Sequence, residues 1–309
     1  MPAIKININP DFYKTEIIDG YQVSEKTKKI WAVEVDLLME LLRVCTKHNI
    51  RFCAFAGTLL GAIRHQGFIP WADDLDVCFE RKEYNKLLEV ASSEFEYPYF
   101  FQTAKTDRKF FIGYARLRNS ETTGIIKWNT DRDYNNGIYI DIYVLDGYTS
   151  NSIALSKQLF KRNFYQRLCK LYYFESENEI PTIFKRFVKM AKNILTRTVS
   201  YDYLVDKYEK TLQIYENSDN VTMLTEGKKW LPLYWCRKID LQDIIYQKFE
   251  MVEIPIPKNY DAILKNIYGN YMDFPPVEKR GAWHEDWLIF EPEIPYKIYL
   301  EKKRRYNEK

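Results

Sequence analysis

Residues 56–80 read A-G-T-L-L-G-A-I-R-H-Q-G-F-I-P-W-A-D-D-L-D-V-C-F-E, and we expect this stretch to decide the fold. Near its end, Asp74 and Asp76 alternate with Leu75 and Val77. Residues two apart in a strand point to the same face, so the pattern predicts a strand with both carboxylates in a cleft. Two such charges about 4 Å apart repel by about 4 kcal/mol at an effective dielectric of about 20. The pair therefore favours a cation, and oxygen ligands favour Mg²⁺.

The beginning of the stretch predicts a phosphate site. Gly57 and Thr58 form a turn before an apolar segment, which we interpret as a helix over residues 58–65. The first amides of a helix have no partner within it, and they point towards the turn that precedes them. The helix N-terminus is therefore a candidate site for a phosphate of the substrate.

A third carboxylate lies on a later predicted strand. Asn135-Asn136-Gly137 is typical of a turn that leads into a strand. In the segment that follows, Asp141 shares one face with two tyrosines, while isoleucines and a valine occupy the other. A lone Asp between isoleucines is costly to bury unless it is paired or bound to a metal. Asp141 is therefore the best candidate for a third metal ligand beside Asp74 and Asp76.

The run Gly-Thr-Leu-Leu-Gly-Ala-x-Arg-His-x-Gly-Phe-Ile-Pro-Trp, followed by the Asp cluster, resembles the signature of the LicD-type phosphotransferases, a branch of the nucleotidyltransferase superfamily. The resemblance continues in residues 81–87, 137–147 and 268–284. Ala72 stands where the family commonly has a further Asp, and we interpret the neighbouring Asp73 as a cap or turn residue rather than a ligand. The resemblance implies an α/β fold with a nucleotidyltransferase-like mixed sheet.

The resemblance also implies a catalytic metal centre formed by Asp74, Asp76 and Asp141, with two Mg²⁺ ions, or Mn²⁺ as the alternative. Two shared ions neutralise charge on the attacking and leaving oxygens of an in-line displacement. The residues expected to bind the donor and its phosphates are Gly57, Thr58, Arg64, His65, Lys279, Arg280 and His284. For Arg64 and His65 the alternative is a solvated helix end, and for the last three it is a polar loop.

By the same resemblance, the expected reaction moves a phospho-substituent onto a hydroxyl of a cell-surface glycan or its lipid-linked precursor. The expected donor is CDP-choline, and the leaving group is CMP. Asp141 or the metal alone would activate the acceptor. Two alternatives remain: a nucleotidyltransferase that uses an NTP and releases pyrophosphate, and a non-catalytic glycan-binding protein on the same fold.

Composition narrows the class of protein. The 309 residues are 46% hydrophobic and 29% charged, with a net charge of +3, which is ordinary for a globular chain and too small to predict nucleic acid as a partner. No apolar leader opens the chain, and no segment approaches the ~20 apolar residues of a membrane span. Five cysteines without metal-ligand spacing favour a reducing, cytoplasmic compartment and no structural zinc.

The pattern along the chain predicts four parts. Ser24 precedes a helical stripe that extends to His48, and residues 254–257 read I-P-I-P, which we interpret as a rigid connector. We expect an N-terminal extension, a catalytic core, a basic helical region and a C-terminal segment that returns to the active site, at residues 1–24, 25–148, 149–254 and 255–309.

The basic helical region has two interpretations. From residue 150 to about residue 200, Lys and Arg greatly outnumber Glu, and aromatic and aliphatic residues lie between the charges. One interpretation is a solvated helical subdomain that packs on the sheet. The other is a basic amphipathic surface that lies on the inner face of an anionic membrane or binds a lipid-linked acceptor. In that case Lys185, Lys189 and Lys192 would face the lipid, with Arg186 beside them.

Overall fold

A computed structural model describes residues 1–127, 133–173, 182–281 and 287–307, with the backbone alone for residues 182–186, 306 and 307. The fold is mixed α/β, as expected. The helices are α1 Glu25–Lys47, α2 Ala56–Arg64, α3 Arg81–Glu94, α4 Ser152–Tyr172, α5 Thr182–Thr198, α6 Tyr201–Leu212, α7 Tyr260–Tyr268 and α8 Tyr296–Asn307. The strands are β1 Glu16–Ile18, β2 Tyr21–Val23, β3 Cys53–Ala54, β4 Asp76–Glu80, β5 Tyr99–Gln102, β6 Ala115–Asn119, β7 Thr123–Ile126, β8 Ile138–Gly147, β9 Asn220–Thr222, β10 Trp235–Arg237, β11 Ile244–Phe249, β12 Val252–Pro257 and β13 Leu288–Glu291.

Helix α1 begins where the sequence predicts. The Ser24 hydroxyl accepts a hydrogen bond from the Thr27 amide at 3.0 Å, which satisfies one of the unpaired donors at the helix start. Its apolar stripe is fully buried in the main hydrophobic core. On the same helix, the Trp31 indole donates to the Ala72 carbonyl at 3.0 Å. Helix α1 thus packs against the sheet and holds the loop that precedes the acidic strand.

Strand β8 is the centre of a seven-stranded mixed sheet. It pairs in parallel with β4, and in antiparallel fashion with β6 and with β9. Strand β3 extends the sheet beyond β4, β5 extends it beyond β6, and β10 extends it beyond β9. Both faces of β8 are covered, since nine of its ten residues are buried. The two acidic strands of the predicted site are therefore neighbours at the middle of the sheet.

Two predicted strands differ at their ends from those observed. We expected a strand over residues 74–79, but β4 begins at Asp76, so Asp74 lies in the loop before it. The backbone pairing continues one residue further back, because the Asp141 amide donates to the Leu75 carbonyl at 3.0 Å. Aromatic and β-branched residues also predict a strand over residues 110–118, whereas β6 covers Ala115–Asn119. Regular pairing with β8 ends at Ala115, and pairing sets this boundary.

Residues 254–257 do not form a connector. They belong to β12, which pairs with β11 in an antiparallel hairpin whose register places Pro255 opposite Tyr246 and Pro257 opposite Ile244. Proline lacks the amide donor of a sheet ladder, so it is tolerated in a strand that has an unpaired edge. The two prolines therefore make the segment resemble a linker in sequence, although Ile254 and Ile256 are fully buried.

The region predicted as helical contains α4, α5 and α6, and it also contributes β9 and β10 to the main sheet. A cluster of ion pairs connects this helical region to the core. Arg81, at the start of α3, makes two parallel 2.7 Å bonds to Asp146 of β8 and a third 2.7 Å bond to Glu209 of α6. Arg81 thus joins a core helix, the central strand and the helical region.

In the described ranges, no helix combines the length and the apolar character that crossing a membrane requires. The five cysteines are all buried free thiols. Two of them, Cys53 and Cys78, are register partners on β3 and β4, with their sulfurs 3.5 Å apart. They pack as small apolar residues within the core, as the sequence indicates.

Candidate active site

Two of the predicted carboxylates lie side by side on adjacent strands. Asp76 of β4 and Asp141 of β8 are register partners in a parallel pair. Neighbouring strands are about 4.8 Å apart, and residues in register point to the same face. The sheet therefore brings together two acids that are 65 positions apart in the sequence, and it does so through backbone pairing alone.

Arg116 of β6 is the register partner of Asp141 on the side of β8 that does not face β4. The two residues are in register, and the Arg116 Nε donates to Asp141 Oδ1 at 2.6 Å. Both side chains are buried. The guanidinium also lies over the ring of Tyr139, 3.6 Å from its centroid. Asp141 thus lies between a cation on one strand and a second carboxylate on the other.

Negative charge in this cleft exceeds what Arg116 neutralises. Burial raises the pKa of Asp76 well above its ordinary value, the charges of Asp74 and Asp141 raise it further, and Arg116 lowers it by less. A carboxyl with a raised pKa is a group that resists ionisation unless positive charge is supplied. Such perturbation, together with a specific charged neighbour in a cleft, is typical of functional sites.

Glu34 of α1 is an acid that the sequence analysis missed. It is 1% exposed, and its Oε2 has no hydrogen-bond partner within the described residues. Burial raises its pKa well above the ordinary value, and the charges that add to this shift are those of Asp74, Asp73, Asp76 and Asp141. Its signal in the sequence is that residues 30–38 are apolar except for two acids, Glu34 and Asp36. Glu34 therefore extends the acidic cluster from the sheet to the helix that covers it.

Glu226 is a second acid that the sequence analysis missed. Burial raises its pKa, and the charge of Asp141 raises it further. In return, the charge of Glu226 contributes to the raised pKa of Asp76. Its backbone carbonyl accepts a 2.6 Å bond from Arg162 of α4, which fixes the loop after β9. No local pattern marks Glu226 in the sequence, because only the pairing of β9 with β8 brings it to this position.

The first residues of α2 have the features expected of an anion site. Phe55 at the N-cap position has no side-chain oxygen to cap the helix, and an added Cβ on Gly57 would meet open space. Ala56 adopts a φ of 44°, in the left-handed region, and such strain costs about 1–3 kcal/mol. The Thr58 hydroxyl accepts a 2.7 Å bond from the Asp76 amide. Thr58 therefore links the start of α2 directly to the acidic strand.

Arg64 and His65, at the other end of α2, contact the C-terminal segment. Arg64 Nη1 donates to the carbonyls of Tyr271 and Asp273 at 2.8 and 3.1 Å. The His65 ring stacks on Phe274 with 5.7 Å between centroids. Burial and the charge of Arg64 lower the pKa of His65 to about 4, although its Nε2 lies 3.3 Å from an Asp19 carboxylate oxygen. That contact does not offset burial, so the ring is neutral.

Arg280 joins the same cluster. Its guanidinium lies 5.1 Å from the Trp71 ring and 5.3 Å from the Phe274 ring, and its Nε donates to the Pro275 carbonyl at 2.9 Å. Lys279 is exposed in the same segment, and His284 lies outside the described residues. The structure thus brings Arg64, His65 and Arg280 together, with contacts that hold the C-terminal segment. Their role in donor binding stays a prediction.

The ring of Tyr268, at the end of α7, relates this cluster to the carboxylates. The charges of Asp76 and Asp74 raise the pKa of its hydroxyl, and the charge of Arg64 lowers it. Desolvation of the hydroxyl is the largest cause of the net upward shift, although the residue as a whole is 39% exposed. Tyr268 therefore lies within electrostatic range of both the acidic centre and the basic end of α2.

The acidic centre fits a divalent metal by its donor chemistry. It offers carboxylate oxygens, which hard cations prefer, and a cation would relieve the repulsion recorded in the raised pKa values of Asp76 and Glu34. Among the described residues, no three acidic, His or Cys side chains are grouped closely enough to hold an ion as they stand. The metal assignment to Asp74, Asp76 and Asp141 therefore stays a prediction supported by charge and donor type.

Comparisons with known proteins relate the chain to a family of phosphotransferases. A family model described as LicD/FKTN/FKRP, nucleotidyltransferase domain, matches residues 49–183, which contain α2, β4 and β8. The chain is 26% identical over 252 residues to the lipopolysaccharide cholinephosphotransferase LicD of Haemophilus influenzae, with 78% of this chain and 89% of that protein covered. Residues 49–183 thus match the LicD-type family model, and the similarity to the Haemophilus protein extends over most of the chain.

Two rickettsial proteins are similar over shorter lengths. The uncharacterized protein RP689 of Rickettsia prowazekii is 32% identical over 113 residues, which cover 36% of this chain and 38% of that protein. The uncharacterized protein RT0683 of Rickettsia typhi is 46% identical over 60 residues, or 19% of this chain and 18% of that protein. Neither name adds a function, so the Haemophilus protein is the relative that bears on activity.

Proposed function

We propose that this protein is a metal-dependent phosphotransferase that moves phosphocholine from CDP-choline onto a hydroxyl of a cell-surface glycan or its lipid-linked precursor, with release of CMP. The observation that carries the proposal is the register pairing of Asp76 with Asp141 inside a buried acidic cluster. The Haemophilus relative is a lipopolysaccharide cholinephosphotransferase, which supports phosphocholine as the transferred group and lipopolysaccharide as the type of acceptor.

Asp74, Asp76 and Asp141 would hold the metal, for which we propose two Mg²⁺ ions, with Mn²⁺ as the alternative. When bound, the metal would supply positive charge to the phosphate oxygens and lower the pKa of the acceptor hydroxyl. The remaining chemistry rests on the residues of the chain. Arg116 holds Asp141 in place through a buried charge-assisted bond, which fixes the direction of one carboxylate before substrate arrives.

The open turn at Gly57 and the N-terminus of α2 would receive a phosphate of the donor. Backbone amides at a helix start point towards such a ligand, and the helix dipole favours its negative charge. Because the Thr58 hydroxyl is bonded to the Asp76 amide, this phosphate site and the acidic strand keep a fixed separation. That separation would place the diphosphate of the donor between a positive backbone site and the carboxylates.

The experiment incubates purified protein and Mg²⁺ with a panel of CDP-linked donors and CTP, in the presence of a lipopolysaccharide acceptor. Chromatography separates CMP from pyrophosphate. We expect CMP from CDP-choline, transfer of the choline label to the acceptor, and loss of both on chelation of the metal. Pyrophosphate from CTP would favour a nucleotidyltransferase, and absence of any turnover with intact binding of acceptor would favour a glycan-binding protein.

A further inference from the structure

Helices α4 and α5 share an unusual charge distribution. They comprise 21 and 17 residues, and each carries five Lys or Arg and no Asp or Glu. Helix α6, which follows directly, differs from them. Its Asp202 and Asp206 form exposed ion pairs with Arg108 and Lys105 at 2.8 and 2.6 Å. The net positive charge of this region is therefore concentrated on α4 and α5.

Helix α4 exposes a line of large apolar side chains. Ile153, Phe160 and Phe164 are 69%, 73% and 51% exposed. Their spacings of seven and four residues place them on one face of the helix. The opposite face carries Leu159 and Cys169, which are buried against the body of the protein. Helix α4 thus has an apolar stripe directed to solvent in addition to the one that packs.

Helix α5 repeats this arrangement. Phe187, Met190 and Ile194 are 63%, 54% and 56% exposed, and spacings of three and four residues align them on one face. Leu195 is buried and Val188 is half-buried on the side that packs. Large apolar side chains scattered singly on a surface need no explanation, whereas two aligned stripes on consecutive helices indicate an interaction surface.

Exposed cations flank both stripes. On α4 these are Lys157, Lys161 and Arg167, and on α5 they are Lys189 and Arg197. One residue of the predicted lipid-facing set, Lys192, lies elsewhere in the structure. Lys192 is half-buried and lies on the packing side of α5, so it does not belong to the exposed face. For Lys185 and Arg186 the structure describes the backbone alone.

We propose that this basic apolar surface docks the protein on an anionic lipid bilayer. The surface consists of the exposed apolar residues and the five flanking cations, and its apolar residues are Ile153, Phe160, Phe164, Phe187, Met190 and Ile194. Apolar side chains enter the boundary between headgroups and acyl chains, while Lys and Arg meet the anionic headgroups. The positive charge of the surface favours an anionic bilayer over a second copy of the protein. A second copy would bring five cations against five, which opposes association through this face.

The proposal goes beyond the proposed function, because bilayer binding does not depend on which group the enzyme transfers. It also explains how the enzyme would meet a lipid-linked acceptor. If the acceptor glycan is attached to lipid, docking confines enzyme and acceptor to one surface and raises their effective concentration. Transfer to an acceptor from which the acyl chains have been removed should not need the surface.

The test is co-sedimentation of the full-length protein with vesicles of phosphatidylethanolamine, with and without phosphatidylglycerol. We expect binding to the anionic vesicles at about 0.01 M salt and its loss at about 1 M, because the Debye length falls from about 30 Å to about 3 Å. One variant changes Lys157, Lys161, Arg167, Lys189 and Arg197 to Gln. A second changes Phe160, Phe164 and Ile194 to Ser.

Matched controls carry the same number of changes at exposed positions elsewhere. The charge control changes Lys82, Lys210, Lys258, Lys302 and Arg304 to Gln, and the apolar control changes Ile17, Leu88 and Ile239 to Ser. We expect both surface variants to bind at least about tenfold more weakly than wild type, since each cation near an anionic leaflet favours binding severalfold. Both controls should lose less than about threefold.

Equal binding by wild type and the surface variants, equal loss in the controls, or absence of wild-type binding would each overturn the proposal. Circular dichroism and the rate of phosphocholine transfer to a deacylated acceptor check that the variants are folded. If that transfer fails in wild type while anionic vesicles still bind it, the proposed function is wrong and the docking surface stands.

Discussion

Asp76 and Asp141 face each other across the parallel pair of β4 and β8, and Arg116 contacts Asp141 from the opposite neighbour, β6. Three adjacent strands thus place a cation, a carboxylate and a second carboxylate in one row across the sheet. The row is buried at Arg116 and Asp141 and partly exposed at Asp76, and it carries more acid than base, since Glu34 and Glu226 add their charges to it. A site of this composition is stable when a substrate or metal supplies positive charge.

The cluster formed by Arg81, Asp146 and Glu209 is expected to hold the helical region on the core. Replacement of Arg81 by Ala leaves the buried Asp146 and the partly buried Glu209 without their partner, and we expect the free energy of unfolding to fall by about 3–5 kcal/mol. Urea denaturation measures the change. As a control, Lys265→Ala removes the exposed pair with Asp261 and should lower the free energy of unfolding far less. A loss as small as that of the control would show that the cluster does not stabilise the fold.

Glu226 is expected to strengthen metal binding without being required for transfer. Glu226→Gln keeps the shape of the side chain and removes one negative charge near Asp76 and Asp141. Groups around the ligands of a metal typically affect its affinity by 10- to 100-fold, so we expect the Mg²⁺ concentration at half-maximal rate to rise about tenfold. The maximal rate should change less. Unchanged Mg²⁺ dependence would remove Glu226 from the site.

His65 is expected to make stability depend on pH. Its pKa is lowered from 6.5 to about 4 in the folded protein, chiefly by burial, so folding favours the neutral ring. Its contribution is complete above pH 6.5 and is lost as the pH falls towards 4. His65→Gln has no ring to protonate, and its free energy of unfolding should rise relative to wild type over this interval. Thermal denaturation across the interval tests this, and a constant difference between the two proteins would contradict it.

Much of the fold follows from local pattern. The cap at Ser24 and the apolar stripe predict α1, and the alternation of isoleucines with tyrosines and Asp141 predicts β8. Both signals are local, because a helix or strand buries one face along its own length. Ends of strands are less predictable. Asp74 continues the alternation of the strand, yet regular pairing in β4 begins at Asp76, and pairing depends on a neighbour that lies elsewhere in the sequence.

The site was predictable to the extent that its residues lie in distinctive local patterns. Asp76 and Asp141 are such residues, and the register that brings them together follows from their strands. Arg116 and Glu226 have no such pattern, because long-range pairing with β8 alone brings them to the site. The exposure of Phe160 and Phe164 was also not predictable, since a second apolar face on a helix has the same sequence pattern whether it packs or meets solvent.

The central claim is that the carboxylates of Asp76 and Asp141 form the reaction centre of a phosphocholine transferase. The most direct measurement is CMP release from CDP-choline, with Mg²⁺ and acceptor, by wild type, Asp76→Asn and Asp141→Asn, with Asp243→Asn as a surface control. We predict that both site variants lose at least about 10³-fold in rate while they remain folded, because their charges act on the transition state. Near-normal CMP release by either site variant would contradict the account.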